Sequence, residues 1–206
     1  RGRPTEAINA CQKALQMAAD QDALVATQAH HNIGICYVML GQIPEGIEEL
    51  ITTLQLAEAH GDQINAAFTA HDLGTAEWWR GHLVTARQYY HQALMYWRKI
   101  GNSSALASTL AGLGVVHHQL GQYQEAESRL QEGLSKAENA ADVRIQVHCW
   151  ASQGDLFRDT GRYQEALDCY AKAFELAANA QLTQLMLYAL NAAGDTHRLK
   201  GDLTQA

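Results

Sequence analysis

The sequence predicts an all-α fold built from repeated helical hairpins, and three observations carry that prediction. The composition is 47% hydrophobic and 18% charged, with two prolines in 206 residues, and its many Ala, Leu and Gln residues favour helix throughout. Glycines recur at an interval of forty: Gly34, Gly74, Gly114, Gly154 and Gly194. A second glycine column follows seven residues later at Gly41, Gly81, Gly121, Gly161 and Gly201, with Gly2 one residue short of the period. Five residues beyond each of these stands Ala7, Gly46, Ala86, Ala126, Ala166 or Ala206, all small. A fixed period of this length is the mark of a repeat architecture.

Each column has a physical reason. The second one supplies a residue that closes a helix in the left-handed conformation without steric cost, so it predicts tight turns. Glycine inside a helix costs about 1 kcal/mol relative to alanine, so the first column predicts close approach of another helix, completed by the small residue opposite. Each repeat is then a helix A before the turn and a helix B after it. In chain order the spacing predicts helix B over 4–19, A over 23–39, B over 43–59, A over 64–79 and B over 83–99. It continues with A over 104–119, B over 123–139, A over 143–159, B over 163–179 and A over 183–199. Pro4 and Pro44 suit a first helical turn, where a proline loses no hydrogen bond. Gly61, Gly101, Asn139 and Asn179 are read as the C-terminal caps of the B helices. The whole span, 1–206, reads as a single repeat domain cut from a longer array, because the polar end caps of a free-standing solenoid are missing.

The charge balance is 15 Lys and Arg against 22 Asp and Glu, a formal net charge of −7. No basic run interrupts it, so direct nucleic-acid contact by this segment is not expected. No apolar stretch approaches the ~20 residues of a membrane span, and the opening RGRPTEA lacks the apolar core of a signal peptide. The expected location is cytoplasmic, with no membrane partner. Cys11, Cys36, Cys149 and Cys169 form no C-x-x-C and are expected to be buried free thiols. Nucleotide-binding, zinc-protease and serine-hydrolase signatures do not occur. The pairs His30–His31 and His117–His118 hold adjacent rings that diverge on a helix, and no partner at i+4 converges on them, so neither a metal nor another cofactor is expected. Asp155 and Asp159 are spaced i, i+4 with Arg158 beside them, which reads as a charge cluster and not as acid–base machinery, since nothing nearby supplies a nucleophile. An enzyme is not expected.

The segments LGVVHHQLGQYQEAESRLQEGL and QGDLFRDTGRYQEALDCYAKAF, residues 113–134 and 153–174, resemble the tetratricopeptide repeat (TPR). The likeness covers essentially the whole chain. The family's leading Trp is matched by Trp150, its helix A aromatic by Tyr37 and Phe157, its helix B aromatics by Tyr123, Tyr163, Tyr90 and Tyr170, and its alanines by Ala86, Ala126, Ala166, Ala93 and Ala173. The period is forty in place of thirty-four, and the proline that normally ends helix B is absent. Forty-residue versions resemble the sensor regions of bacterial regulators of the MalT-like type, related signal-transducing ATPases, and scaffolds such as kinesin light chain. The turns EAHGDQ and RKIGNS look most like the bacterial regulators. The resemblance implies a right-handed superhelical solenoid of about five repeats whose A helices line a concave groove.

Stepping about 100° per residue from each helix A glycine, offsets of −6, −3, −2, +1, +4 and +5 fall within one arc of about 120°. In the first repeat the arc selects His31 and Asn32, beside Gln28, Ile35, Val38 and Met39. In the second it selects Phe68, His71, Asp72, Thr75, Trp78 and Trp79. Later repeats contribute His118, then Asp155 and Arg158, then Asn191 and Arg198. These are the candidate ligand-binding residues. The first rows are aromatic and apolar, the last polar and charged. Such a mixture suits an extended peptide, a partner helix or a sugar; the competing reading is that flanking repeats cover the surface. The carboxylate clamp of chaperone-tail-binding relatives is absent, its positions holding His31, Ile35, Asp72, Ser108 and Gly112. The functional expectation is a non-catalytic binding or sensor region of a larger bacterial regulator, recognising a protein, a peptide or a small-molecule effector, with a constitutive interaction scaffold as the alternative.

Overall fold

The computed structural model describes residues 3–17 and 23–201. Among them are ten helices and no strand: α1 Pro4–Met17, α2 Ala23–Met39, α3 Ile43–Ala59, α4 Gln63–Trp79, α5 Leu83–Ile100, α6 Ser103–Gln119, α7 Tyr123–Asn139, α8 Val143–Asp159, α9 Tyr163–Asn179 and α10 Thr183–Lys200. The all-α hairpin fold is thus the observed one, and the predicted bounds agree to within a residue wherever the chain is described. Gly2 and Ala206 lie outside the described residues, as does the segment 18–19 assigned to the first B helix.

The chain divides into two compact units, Arg1–Gly101 and Asn102–Ala206. In the first, α1 to α5 pack each on the next and α2 also touches α4. In the second, α6 to α10 do the same, with α6 touching α8 and α8 touching α10.

The turn column behaves as its chemistry requires: Gly41, Gly81, Gly121, Gly161 and Gly201 have φ between 73° and 92°. The B-helix ends require a correction. Asn139 and Asn179 are the last helical residues, and the left-handed position falls two residues later, on Ala141 (φ 52°) and Gln181 (φ 56°), in register with Gly61 and Gly101. After α7 the Asp142 N–H donates to Ala137 O at 2.9 Å and the Ala141 N–H to Glu138 O at 3.0 Å, the same closure that Asp62 and Gly61 make after α3. A left-handed residue therefore recurs every twenty positions, and glycine occupies only some of them. Three A helices begin on a side chain that accepts a backbone N–H, Asp62 from Asn65, Asn102 from Ala105 and Asp142 from Ile145, satisfying donors that a helix start leaves open.

The helix A glycines are notches. A Cβ placed on Gly34, Gly74, Gly114 or Gly154 would lie 2.5–2.9 Å from a side-chain atom of Leu50, Tyr90, Leu130 or Tyr170, respectively. The large residue sixteen positions on fills each notch, while the small residue expected there lines its edge: the Gly46 carbonyl would stand 3.0 Å from a Cβ on Gly34. In the second unit the fully buried Tyr170, Leu130 and Leu156 pack with Phe157 and Cys169, and Trp150 lies against that cluster from its half-buried position. A further correction concerns the thiols. All four are free, but only Cys149 and Cys169 are buried, whereas Cys11 and Cys36 on α1 and α2 are partly exposed. Desolvation pushes the Cys149 and Cys169 thiols up to about 12.

Candidate binding face on the A helices

In the first unit the A helices are α2 and α4, whose sequences ALVATQAHHNIGICYVM and QINAAFTAHDLGTAEWW contain no lysine or arginine. The His31 Nε2 lies 2.9 Å from Asp72 Oδ2, joining the two helices. Asn32 is exposed, its Oδ1 accepting from Gln28 Nε2 at 3.2 Å. Thr75 Oγ1 and the Tyr90 hydroxyl share a hydrogen bond at 3.0 Å. The His71 ring meets Tyr90 edge-on at 5.5 Å between centroids. Burial pushes His71 below its ordinary range, against the raising pull of Asp72. Phe68 is 45% exposed and meets the buried Trp97 edge-on at 4.8 Å. Trp78 is half-buried, while Trp79 is 53% exposed. The remaining carboxylate of these helices, Glu77, is buried and held by His82 Nδ1 at 2.9 Å and Arg80 Nη1 at 3.5 Å.

In the second unit the face belongs to α6, α8 and α10. His118 Nε2 lies 3.1 Å from Asp159 Oδ2, and with a side chain only 14% exposed it is more covered than a groove-lining reading requires. Asp155 accepts from the Tyr170 hydroxyl at 2.8 Å and the Tyr188 hydroxyl at 2.5 Å, with Arg158 Nη1 at 3.2 Å. Arg158 Nε also donates to Asp159 Oδ1 at 3.0 Å. Burial and the Asp155 charge push both tyrosines above their usual range. On α10, Asn191 is exposed, and Arg198 pairs with Asp195 at 2.5 Å. Arg158, Asp195, Arg198 and Leu199 border an open cavity of about 420 Å³. Each guanidinium there already has a carboxylate partner.

The structure thus joins His31 with Asp72, joins His118 to Arg158 through Asp159, and pairs Arg158 with Asp155 as well. The paired histidines do diverge: His30 Nδ1 lies 2.6 Å from Glu49 and His117 Nδ1 lies 2.6 Å from Gln122, away from their neighbours' partners. Angular counting along helix A could not find Tyr90 and Tyr170, which start on B helices and send their hydroxyls past a glycine notch. A signal was present. Where the notch residue is Tyr, the residue after the glycine is polar, as in Thr75 and Asp155; where it is Leu, that residue is apolar, as in Ile35 and Val115.

These features are hydrogen-bonding, stacking and charge-pairing groups on a repeat scaffold, and known families share that scaffold. The sequence profile described as the MalT-like TPR region matches residues 1–151. This chain belongs to the MalT-like TPR family. The general tetratricopeptide repeat profile matches residues 147–179 of this MalT-like chain. Solved structures agree on the fold. The signal transduction ATPase (STAND) protein with a tetratricopeptide repeat sensor from Pyrococcus horikoshii superposes with a TM-score of 0.76 at 16% identity, over 94% of this chain and 32% of that one. BtubC from P. vanneervenii gives 0.74 at 18% identity, over 86% and 72%. A Rap protein complexed with competence and sporulation factor gives 0.74 at 16%, over 98% and 61%. The MalT-like chain therefore spans about a third of the STAND protein it resembles. Its fold is one that generally serves as a non-catalytic binding scaffold, and among the described residues no helix is long and apolar enough to cross a membrane.

Proposed function

We propose that this chain is a non-catalytic sensor region of a larger bacterial signal-transducing or transcriptional regulator, and that it recognises a peptide, a protein or a small ligand on its A-helix face. The observation that carries the reading is the exposure of Trp79 and Phe68 on α4 at positions where the repeat demands no aromatic. The same two columns hold Met39, Gln119, Asp159 and Leu199, or Gln28, Ser108, His148 and Tyr188. Large aromatics left in water oppose solubility and are retained most simply for contact. The match to MalT-like regions and the likeness to a STAND sensor support a switching role over a constitutive scaffold. In that role, ligand contact shifts an equilibrium between resting and active arrangements of the parent protein.

Thermal-shift screening of the chain against peptides and small effectors tests the face. A ligand that stabilises the parent but not the Trp78→Ala/Trp79→Ala variant, whose helical circular dichroism stays intact, supports it. A ligand that stabilises both equally removes the face, and collapse of the helical signal would place the tryptophans in the core. A nucleotide-binding module and a helix-turn-helix in the flanking sequence support the regulator, and a gene lacking both returns the chain to the scaffold class.

A further inference from the structure

Resting on the reading that the A-helix face binds ligand, we infer that the first unit recognises an extended peptide through a cationic side chain, held at Asp72 between two apolar anchors. Asp72 is the only carboxylate on either A helix of this unit that is partly open to solvent: α2 has no acidic residue, and the Glu77 of α4 is buried and already bonded. Neither helix offers a lysine or arginine to neutralise it. Its Oδ2 faces the His31 ring at 2.9 Å, its side chain keeps 27% of its surface, and among the described residues no hydrogen bond reaches Oδ1. The second unit differs at this point, since its carboxylates Asp155, Asp159 and Asp195 each contact an arginine of the same face.

The neighbours of Asp72 define the rest of the ligand. Phe68, Thr75 and Trp79 stand at i−4, i+3 and i+7, which puts all four on one stripe of the helix. At 1.5 Å per residue, Phe68 lies about 6 Å along the axis on one side of the carboxylate and Trp79 about 10 Å on the other. An extended peptide advances about 3.3 Å per residue and its alternate side chains share a face, so an apolar side chain two positions to one side of the cation meets Phe68 and one four positions to the other, about 13 Å along, meets the large ring of Trp79. A guanidinium or ammonium at Asp72 gains a charge-assisted hydrogen bond there. An anionic or carboxylate-terminal peptide would meet only repulsion.

The test uses three fluorescein-labelled heptapeptide pools with Leu or Phe at positions 1 and 7, mixed residues at 2, 4, 5 and 6, and Arg, citrulline or Glu fixed at position 3. Binding to the whole chain is read by fluorescence anisotropy. The expected result is at least tenfold tighter binding of the Arg pool, lost in Asp72→Asn and weakened as salt rises from 0.05 to 0.5 M, with Trp79→Ala weakening the Arg and citrulline pools alike. Equal binding of the Arg and citrulline pools, or an Arg preference that survives Asp72→Asn, overturns the cation assignment; if Trp79→Ala still weakens those pools, the binding face itself stands. Binding that neither substitution changes overturns both. Sedimentation giving a dimer that Trp79→Ala dissociates would assign the stripe to a second copy of the chain and overturn the peptide.

Discussion

Ala141 and Gln181 hold a backbone conformation that L residues avoid, with φ of 52° and 56°. The left-handed region costs a side-chain-bearing residue about 1–2 kcal/mol, whereas glycine gives back about 0.4–1 kcal/mol through its freer unfolded chain. Ala141→Gly and Gln181→Gly should each therefore raise stability by about 0.5–1 kcal/mol, read as a higher denaturant midpoint with an unchanged slope. Gly101→Ala, at the same kind of turn with φ of 80°, should lower the midpoint. If both glycine variants were neutral or destabilising, the strain argument would fail. These two positions also mark where the sequence misled. Asn at 139 and 179 has the right chemistry for a helix end, but the turn geometry places the left-handed residue two positions on, where Ala and Gln give no local signal.

The unit of packing between elements is the glycine notch and the side chain that enters it. Gly114→Leu puts a branched side chain where even a Cβ would lie 2.6 Å from Leu130 Cγ. The expected cost is about 1–3 kcal/mol from overpacking, less the roughly 1 kcal/mol that glycine costs a helix. Adding Leu130→Ala should recover part of the loss, because the cavity it opens on α7 is the one the new side chain needs; the two changes together should then cost less than their sum. Strict additivity in chemical unfolding would show that residue 114 does not act on α7. Periodicity made the notch legible, since only a close approach explains a glycine kept in mid-helix every forty residues. The partner of each notch stayed hidden, because the contact joins residues sixteen apart on different helices and angular counting along one helix does not cross that gap.

For the whole molecule, the repeat made almost all of the fold legible, and the bounds of the described helices could be written down from two glycine columns and their caps. The candidate face, which remains a proposal, was legible in outline only. Angles along helix A picked out Phe68, Asp72, Thr75 and Trp79, but not that His118 would be largely covered or that hydroxyls from α5 and α9 would cross over to Thr75 and Asp155. A pH dependence also belongs to this scale, because its groups are spread over both units. Burial raises the Cys149 and Cys169 thiols from 9.0 to about 12 and the Tyr90 hydroxyl from 10.0 to about 12. In the unfolded chain these groups lose their protons first. Their contribution to stability is therefore complete below about pH 9 and is lost as pH rises toward 12. Urea unfolding across that window should give a falling free energy, with a shallower fall in Cys149→Ala/Cys169→Ala, the tyrosines supplying the rest. A flat profile between pH 8 and 11 would mean that the folded state admits water to these sites.

The notch pairs alternate along the chain: Ile35 with Leu50, Thr75 with Tyr90, Val115 with Leu130, Asp155 with Tyr170. Arrays of near-identical hairpins risk docking one repeat out of step during folding, since every seat has almost the same shape. Here a slip of one seat would bring a tyrosine hydroxyl against Ile35 or Val115 and strand it, at about 1–3 kcal/mol for each orphaned polar group. A slip of two seats would go unpunished but needs eighty residues of chain to be passed over. The alternation thus acts as a parity check on assembly, recorded in four side-chain pairs.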